Sequence, residues 1–436
     1  MIGGATLPDD SAKSPKLSLR CLGCSREYAP PAIRCPRCKE PLLRTEYAKT
    51  DFAPIERDGI FKFSDWLPPR ETVDTPIGPL VYRSDRLAER LGLKRLYIAF
   101  NGYAPSVGAM NMTGSFKDFE AFPSILYMRE HGAESVILAS AGNTARAFAY
   151  AGTLLDFPVY IVAPEAMANH LWVPIVPSDS IRLIVVAGSN DYTLAIELAG
   201  LIADRFGIPP EGGVRNVARR DGMGTVILEY ARTVGAIPQH YFQAVGSGTG
   251  AIAAWEASIR LLRSGRFDGD LPRLHLVQNA PFTPIHDAWT HGIPIRPDLD
   301  VEAQLSRIRE VRADVLANRD PPYGIHGGVA DALRDTDGCT YAVTNDQIKS
   351  AEALFAEAEG IPTGPEGGAA LSALTEAIET ERVKLDDSVL LNITGNEDAL
   401  LKRDYTIHRL KPWLTLRPGK VSKDGVKRLE PYFRTD

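Results

Sequence analysis

The sequence predicts an α/β protein, a mostly parallel sheet covered by helices, preceded by a small four-cysteine knuckle. Three observations predict it. From about Thr75 onward, apolar β-branched runs alternate with helical stretches. Four of the five cysteines fall within eighteen residues near the N-terminus. The composition is ordinary for a globular chain, with 44% hydrophobic and 24% charged residues among 436. At ~100–200 residues per domain, that length allows about two to four domains.

In chain order, residues 1–16 are polar and Pro/Ser-rich and read as a loose tail. Residues 17–45 carry the cysteines, and 46–75 read as a linker or arm. Strands are expected at Arg95–Phe100, Ser135–Ala139, Pro158–Val162, Ile181–Val186, His240–Val245, Leu274–Gln278 and Ser388–Ile393. Helices are expected at Lys117–His131, Thr144–Leu155, Thr193–Phe206, Thr225–Val234, Ala251–Ser264, Asn345–Glu359 and Gly367–Glu381. Residues 402–436, with Trp413, Tyr432 and Phe433, read as a C-terminal arm on the main body.

The charge excludes some partners. A net charge of −6 and a pI near 5.8 argue against broad binding to nucleic acid, which needs clustered positive charge. The N-terminus lacks an apolar core of signal-peptide length. No run of about 18 apolar residues suggests a membrane-spanning helix. A cytosolic protein with reduced cysteines is expected.

Cys21-Leu-Gly-Cys24 and Cys35-Pro-Arg-Cys38 are two C-x-x-C knuckles separated by ten residues. Each turn aims two sulfurs at one point. Together they make a tetrahedral four-thiolate site suited to zinc. Four protein ligands leave no open position, so the metal is expected to be structural. Two disulfides or free thiols are the alternative. Arg20, Arg26, Arg34, Arg37 and Lys39 around the knuckles keep a nucleic-acid role open.

The segment Thr113-Gly114-Ser115-Phe116-Lys117-Asp118 places a lysine at the start of a helix. There the macrodipole disfavours a cation and pushes the amine toward its neutral, nucleophilic form. The plain alternative is a surface lysine beside Asp118. Two glycine-rich turns follow apolar strands: Ser140-Ala141-Gly142-Asn143-Thr144 and Gly246-Ser247-Gly248-Thr249-Gly250. The first lets a backbone approach a ligand and offers Asn143 as a donor. The second, opening an Ala-rich helix, is a phosphate cradle. A dinucleotide fingerprint is the rival, but the next strand ends in Gln278-Asn279-Ala280 without the acidic residue that such a site requires. Thr394 follows the last apolar strand and offers an uncharged hydroxyl. An amine for an aldehyde, an amide, a phosphate cradle and a neutral hydroxyl together suit pyridoxal 5′-phosphate.

These motifs, in this order, resemble the fold-type II pyridoxal-phosphate enzymes, and among them the threonine synthases. The resemblance is closer to the cysteate synthase family. It is carried by residues 139–150 (ASAGNTARAFAY), 216–225 (NVARRDGMGT), 241–257 (YFQAVGSGTGAIAAWEA) and 278–282 (QNAPF). It implies a tryptophan synthase β-like fold with two α/β domains and the cofactor in the cleft. The large domain would hold residues 46–120 and 230–436, and the small mobile one 121–229. By this likeness Lys117 takes the aldehyde, Asn143 faces the phenolic oxygen, residues 246–250 hold the phosphate, and Thr394 faces the ring nitrogen.

The implied reaction removes phosphate from O-phospho-L-serine, leaves an aminoacrylate and adds sulfite to give L-cysteate. Both exchanged groups are anions, so cations should face Cβ. Arg146, Arg219 and Arg220 are the substrate-binding expectations, with Ser140, Ala141, Gly142 and Thr144 around them. Threonine synthase activity on O-phosphohomoserine and water is one alternative. A zinc-ribbon binding protein with a degenerate enzyme body is another. A homodimer is the family's habit. His170, His275 and His286 read as structural, and Cys339 as a core residue without a base.

Overall fold

A computed structural model describes residues 15–189 and 192–433. The tail expected over 1–16 therefore lies, up to residue 14, outside the described residues. The larger sheet has six strands in the order Cys339–Val343, Arg273–Asn279, His240–Ala244, Ser388–Ile393, Arg95–Phe100, Leu80–Arg83. All neighbours are parallel except the last pair. The smaller sheet is wholly parallel, in the order Pro412–Leu416, Ile181–Val186, Val159–Pro164, Val136–Ala139. Crossover helices cover both, as βα alternation requires.

Successive residues of the larger sheet serve two cores. Tyr241 and Leu390 face the helices Asp118–Glu130, Val217–Val234 and Thr249–Arg263. Phe242 and Leu391 face Asn345–Glu359 and Pro365–Glu379. The period-two alternation of a strand buried on both sides explains the continuous apolar runs.

Two expectations are corrected. The C-terminal arm does not lie on the larger unit, because Pro412–Leu416 is a strand of the smaller sheet. Trp413 and Phe433 pack there, their ring centroids 5.9 and 5.2 Å from that of Tyr160. Second, the helix expected from Thr225 already begins at Val217, so Asp221-Gly-Met-Gly lies inside it and not in a turn before it. Asn216 caps it, accepting from the N–H groups of Ala218 and Arg219 at 3.0 and 3.2 Å. Gly222 is there for close packing: a Cβ would strike the carbonyl of Phe119 in the neighbouring helix.

The N-terminal knuckle is a three-stranded antiparallel sheet, Glu27–Tyr28, Leu17–Cys21, Leu43–Tyr47. It docks through buried charges. Asp221 accepts from Thr45, Tyr47 and Arg260 at 2.8, 2.7 and 2.8 Å. Glu256 pairs with Arg220 at 2.8 Å and Arg44 at 3.3 Å.

Candidate active site

Three of the expected loops follow the carboxyl ends of parallel strands. Ser140–Gly142 follows Val136–Ala139, Gly246–Gly248 follows His240–Ala244, and Thr394 follows Ser388–Ile393. This is where open α/β sheets bind ligands. The lysine turn is tied to all three. Ser115 bridges Gly395, and the Phe116 N–H donates to the Thr394 carbonyl at 2.9 Å. A Cβ on Gly250 would stand 3.1 Å from the Phe116 ring, so glycine lets the cradle helix start against the lysine segment. Thr144 of the asparagine loop donates to Glu120, one turn beyond the lysine, at 2.9 Å.

Lys117 immediately precedes the helix Asp118–Glu130. Its Nζ donates to Glu120 Oε2 at 3.3 Å. Burial pushes the amine's pKa down; Glu120 opposes the shift and Arg219 adds to it. The depression expected from the helix dipole therefore arises first from desolvation. Asp118 is not the lysine's partner. It accepts from the Thr113 N–H and hydroxyl at 2.9 and 2.6 Å, closing the turn, and burial lifts its carboxyl to about 7.

Ser140 Oγ, two residues before the N-cap Gly142, accepts from the Ala145 N–H at 3.1 Å and so engages a first-turn amide of the helix Asn143–Leu155. Ala141 and Gly142 are half-buried, and the space a Cβ on Gly142 would enter is open. Asn143 Oδ1 accepts from Arg146. The Arg146 guanidinium lies 4.6 Å over the Trp172 ring. Its buried Nε has no hydrogen-bond partner among the described residues. In the cradle, the hydroxyls of Ser247 and Thr249 lie 2.9 Å apart. The N–H groups of Gly246, Ser247 and Gly248 have no acceptor among the described residues. Thr394 is buried, and its hydroxyl makes no hydrogen bond with the described residues.

The two arginines part company. Arg219 sits between Glu120 and Glu211, at 3.1 and 2.9 Å. Arg220 is turned away. Its Nε donates to Glu256, and its terminal nitrogens donate to the Val214 and Leu43 carbonyls. The substrate role expected of Arg220 is thereby corrected: all three nitrogens are occupied, one of them by the Leu43 carbonyl of the knuckle. Successive helical residues point about 100° apart, so one faces the lysine and the next the knuckle.

Sequence reasoning missed Glu120, Glu211 and Trp172. The i, i+3 spacing from Lys117 carried the signal for Glu120; nothing local marked the others. It also missed the partners of His275. His275 Nδ1 lies 3.2 Å from Cys339 Sγ and its Nε2 2.9 Å from His240 Nδ1, while His240 Nε2 lies 3.1 Å from Asp387. This cluster sits at the amino ends of the large sheet's strands, away from the loops above.

The donor set fits pyridoxal phosphate: a buried amine, unpaired cradle amides, an amide side chain and a buried hydroxyl. The knuckle fits a metal. Ligand sulfurs of Cys21, Cys24, Cys35 and Cys38 all lie within 4.8 Å of one another. The Cys24–Cys35 separation is 3.7 Å, against ~3.8 Å across a tetrahedron of zinc–sulfur bonds. No described helix is long and apolar enough to cross a membrane.

Comparison with known proteins agrees with this geometry. The family profile of pyridoxal-phosphate-dependent enzymes matches residues 73–395. The cysteate synthase of Methanosarcina acetivorans is 47% identical over 410 residues, covering 94% of this chain and 99% of its own. That of Methanocella paludicola is 47% identical over 413 residues, covering 94% and 96%. Among solved structures, maize serine racemase aligns with a TM-score of 0.54 at 17% identity, over 82% of this chain and 94% of its own. That last likeness is one of fold.

Proposed function

Because the chain belongs to the pyridoxal-phosphate-dependent enzymes and, within them, to the cysteate synthases, we propose that it converts O-phospho-L-serine and sulfite to L-cysteate and phosphate. The observation that carries the site assignment is the convergence of three strand-end loops on the Lys117 segment. Lys117 would hold the cofactor's aldehyde carbon, and residues 246–250 its phosphate. Asn143 would face the phenolic oxygen and Thr394 the ring nitrogen. When bound, the cofactor supplies an electron sink for negative charge at Cα.

The chain's own residues then handle protons and anions. A neutral Lys117 amine takes the proton from Cα, and burial favours that neutral form. Arg219 is already compensated by two carboxylates. Arg146 retains an unpaired buried nitrogen, which supports it as the group that receives the departing phosphate or the entering sulfite. Ser140 and Thr144 shape the loop between them. The four cysteines would hold zinc in a closed structural site, and a thiolate cluster of this kind supports a cytosolic protein with reduced cysteines. The assembly is the homodimer that the family likeness implies.

The test is product analysis by mass spectrometry. Purified protein with pyridoxal phosphate is given O-phosphoserine with sulfite, sulfide or water in turn, and separately O-phosphohomoserine with water. Cysteate and free phosphate are expected with sulfite alone. Threonine from O-phosphohomoserine, without cysteate from any mixture, would overturn the reading in favour of threonine synthase.

A further inference from the structure

We propose that Glu120 is a positioning residue that sets the place and charge of the Lys117 amine, an inference that rests on the reading of Lys117 above. The two residues are three apart, so they share a helix face. The Glu120 side chain is wholly buried, and a buried carboxylate is costly unless compensated. Here it is compensated twice without the lysine. Oε1 accepts from the Thr144 hydroxyl at 2.9 Å, and Oε2 lies 3.1 Å from Arg219 Nε. Lys117 Nζ shares that same Oε2 at 3.3 Å.

The consequence follows from charge. With the amine neutral, the Arg219 ion pair and the Thr144 hydrogen bond still hold the Glu120 carboxylate in place. When the amine takes a proton from Cα, that anion is already beside it and stabilises the ammonium. Arg219 limits the effect, since its charge opposes the pull of the carboxylate on the Lys117 proton. The other groups facing this row are Glu211, which pairs with Arg219 at 2.9 Å, and Tyr192, whose hydroxyl donates to the Ala139 carbonyl at 2.6 Å. The Thr144 bond also ties the carboxylate to the asparagine loop, so loop position and lysine charge are linked.

The test uses the cofactor-loaded protein and two variants of opposite expected sign. Absorbance is titrated against pH to follow protonation of the lysine–cofactor linkage. In Glu120→Gln the colour transition should move to lower pH by about 1–2 units, because a cation has lost its partner. Its kcat should fall about 10- to 100-fold with KM for O-phosphoserine nearly unchanged. In Arg219→Gln the transition should move to higher pH. A merely structural role would not reverse sign between the two. Unmoved transitions in both variants overturn the proposal. If Glu120→Gln does not fold, Arg219→Gln decides alone, and a transition that stays or falls is the overturning result. Borohydride trapping of wild-type protein followed by peptide mass analysis tests the lysine separately. A tag elsewhere than Lys117 ends the site reading, whereas a tag on Lys117 with unmoved transitions ends only this inference.

Discussion

Arg219 and Arg220 are neighbours in one helix, yet they serve two unlike clusters of buried charge. Around Arg220, the side chains of Thr45, Tyr47, Asp221, Glu256 and Arg260 are mutually engaged, and none leaves a buried polar atom without a partner. Around Arg219, the contact with Glu120 is an ion pair of 3.1 Å whose Nε is not aligned as a hydrogen bond. Glu211 Oε1 and Arg146 Nε are buried without partners as well. Buried polar groups are nearly always satisfied, and an exception calls for an explanation. The saturated cluster has nothing left to offer a ligand and holds the knuckle to the enzyme body. The unsaturated one keeps bonding capacity beside the Lys117 amine.

Opposite responses to substitution should sharpen this contrast. Lys117→Ala should lower kcat by about a thousandfold and abolish the cofactor's lysine-linked colour, while its melting curve stays near that of the wild type. Retained colour and turnover would break the assignment of the lysine. Arg220→Met should do the reverse. It leaves Glu256 under-compensated, so a loss of about 3–5 kcal/mol is expected in denaturant unfolding, with kcat per folded molecule preserved. If Arg220→Met instead left stability intact and cut turnover, the two clusters would not divide as stated.

A third cluster extends the contrast with the smallest effect. Asp387, His240, His275 and Tyr341 form a bonded row at the amino ends of the large sheet. Burial lowers the pKa of both histidines below 6.5, with His275 well below. A base depressed in the folded state binds fewer protons than it does unfolded, so stability is lost as pH falls through the unfolded value. Between pH 7 and 5, wild type should lose about 1 kcal/mol more than His275→Phe, as measured by thermal melts. Equal losses would show that this row is not held neutral.

Much of this was legible in the sequence where a local cause sufficed. The strands Arg95–Phe100, Ile181–Val186 and Ser388–Ile393 begin and end where their apolar runs do. Each central strand is buried on both faces, so its own composition marks it. The helix from Asn345 to Glu359 was equally clear, with a capping box between Thr344 and Gln347. The short strands Leu80–Arg83 and Pro412–Leu416 were not legible. They lie at sheet edges, where one neighbour alone defines them and the apolar signal is weak. Gly222 misled for another reason. Glycine punctuates a turn when the backbone needs freedom, but here it admits a second helix.

At the site, the lysine, both glycine loops and the four cysteines were readable because each is a short motif whose spacing is its chemistry. The partners of those residues were not. Trp172 and Asp387 come from distant stretches, and Glu211 from the turn eight residues before Arg219; only folding brings them to Arg146, His240 and Arg219.

The sequence by itself determined the central strands, the long helices and the short chemical motifs, because helix and strand periods and motif spacings are local properties. Only the tertiary structure decided which of two adjacent arginines faces the lysine. It also decided which groups compensate the carboxylate beside that lysine, and which sheet receives the C-terminal strand. Those choices follow from the packing of helices and the desolvation of charge, and both depend on residues far apart along the chain.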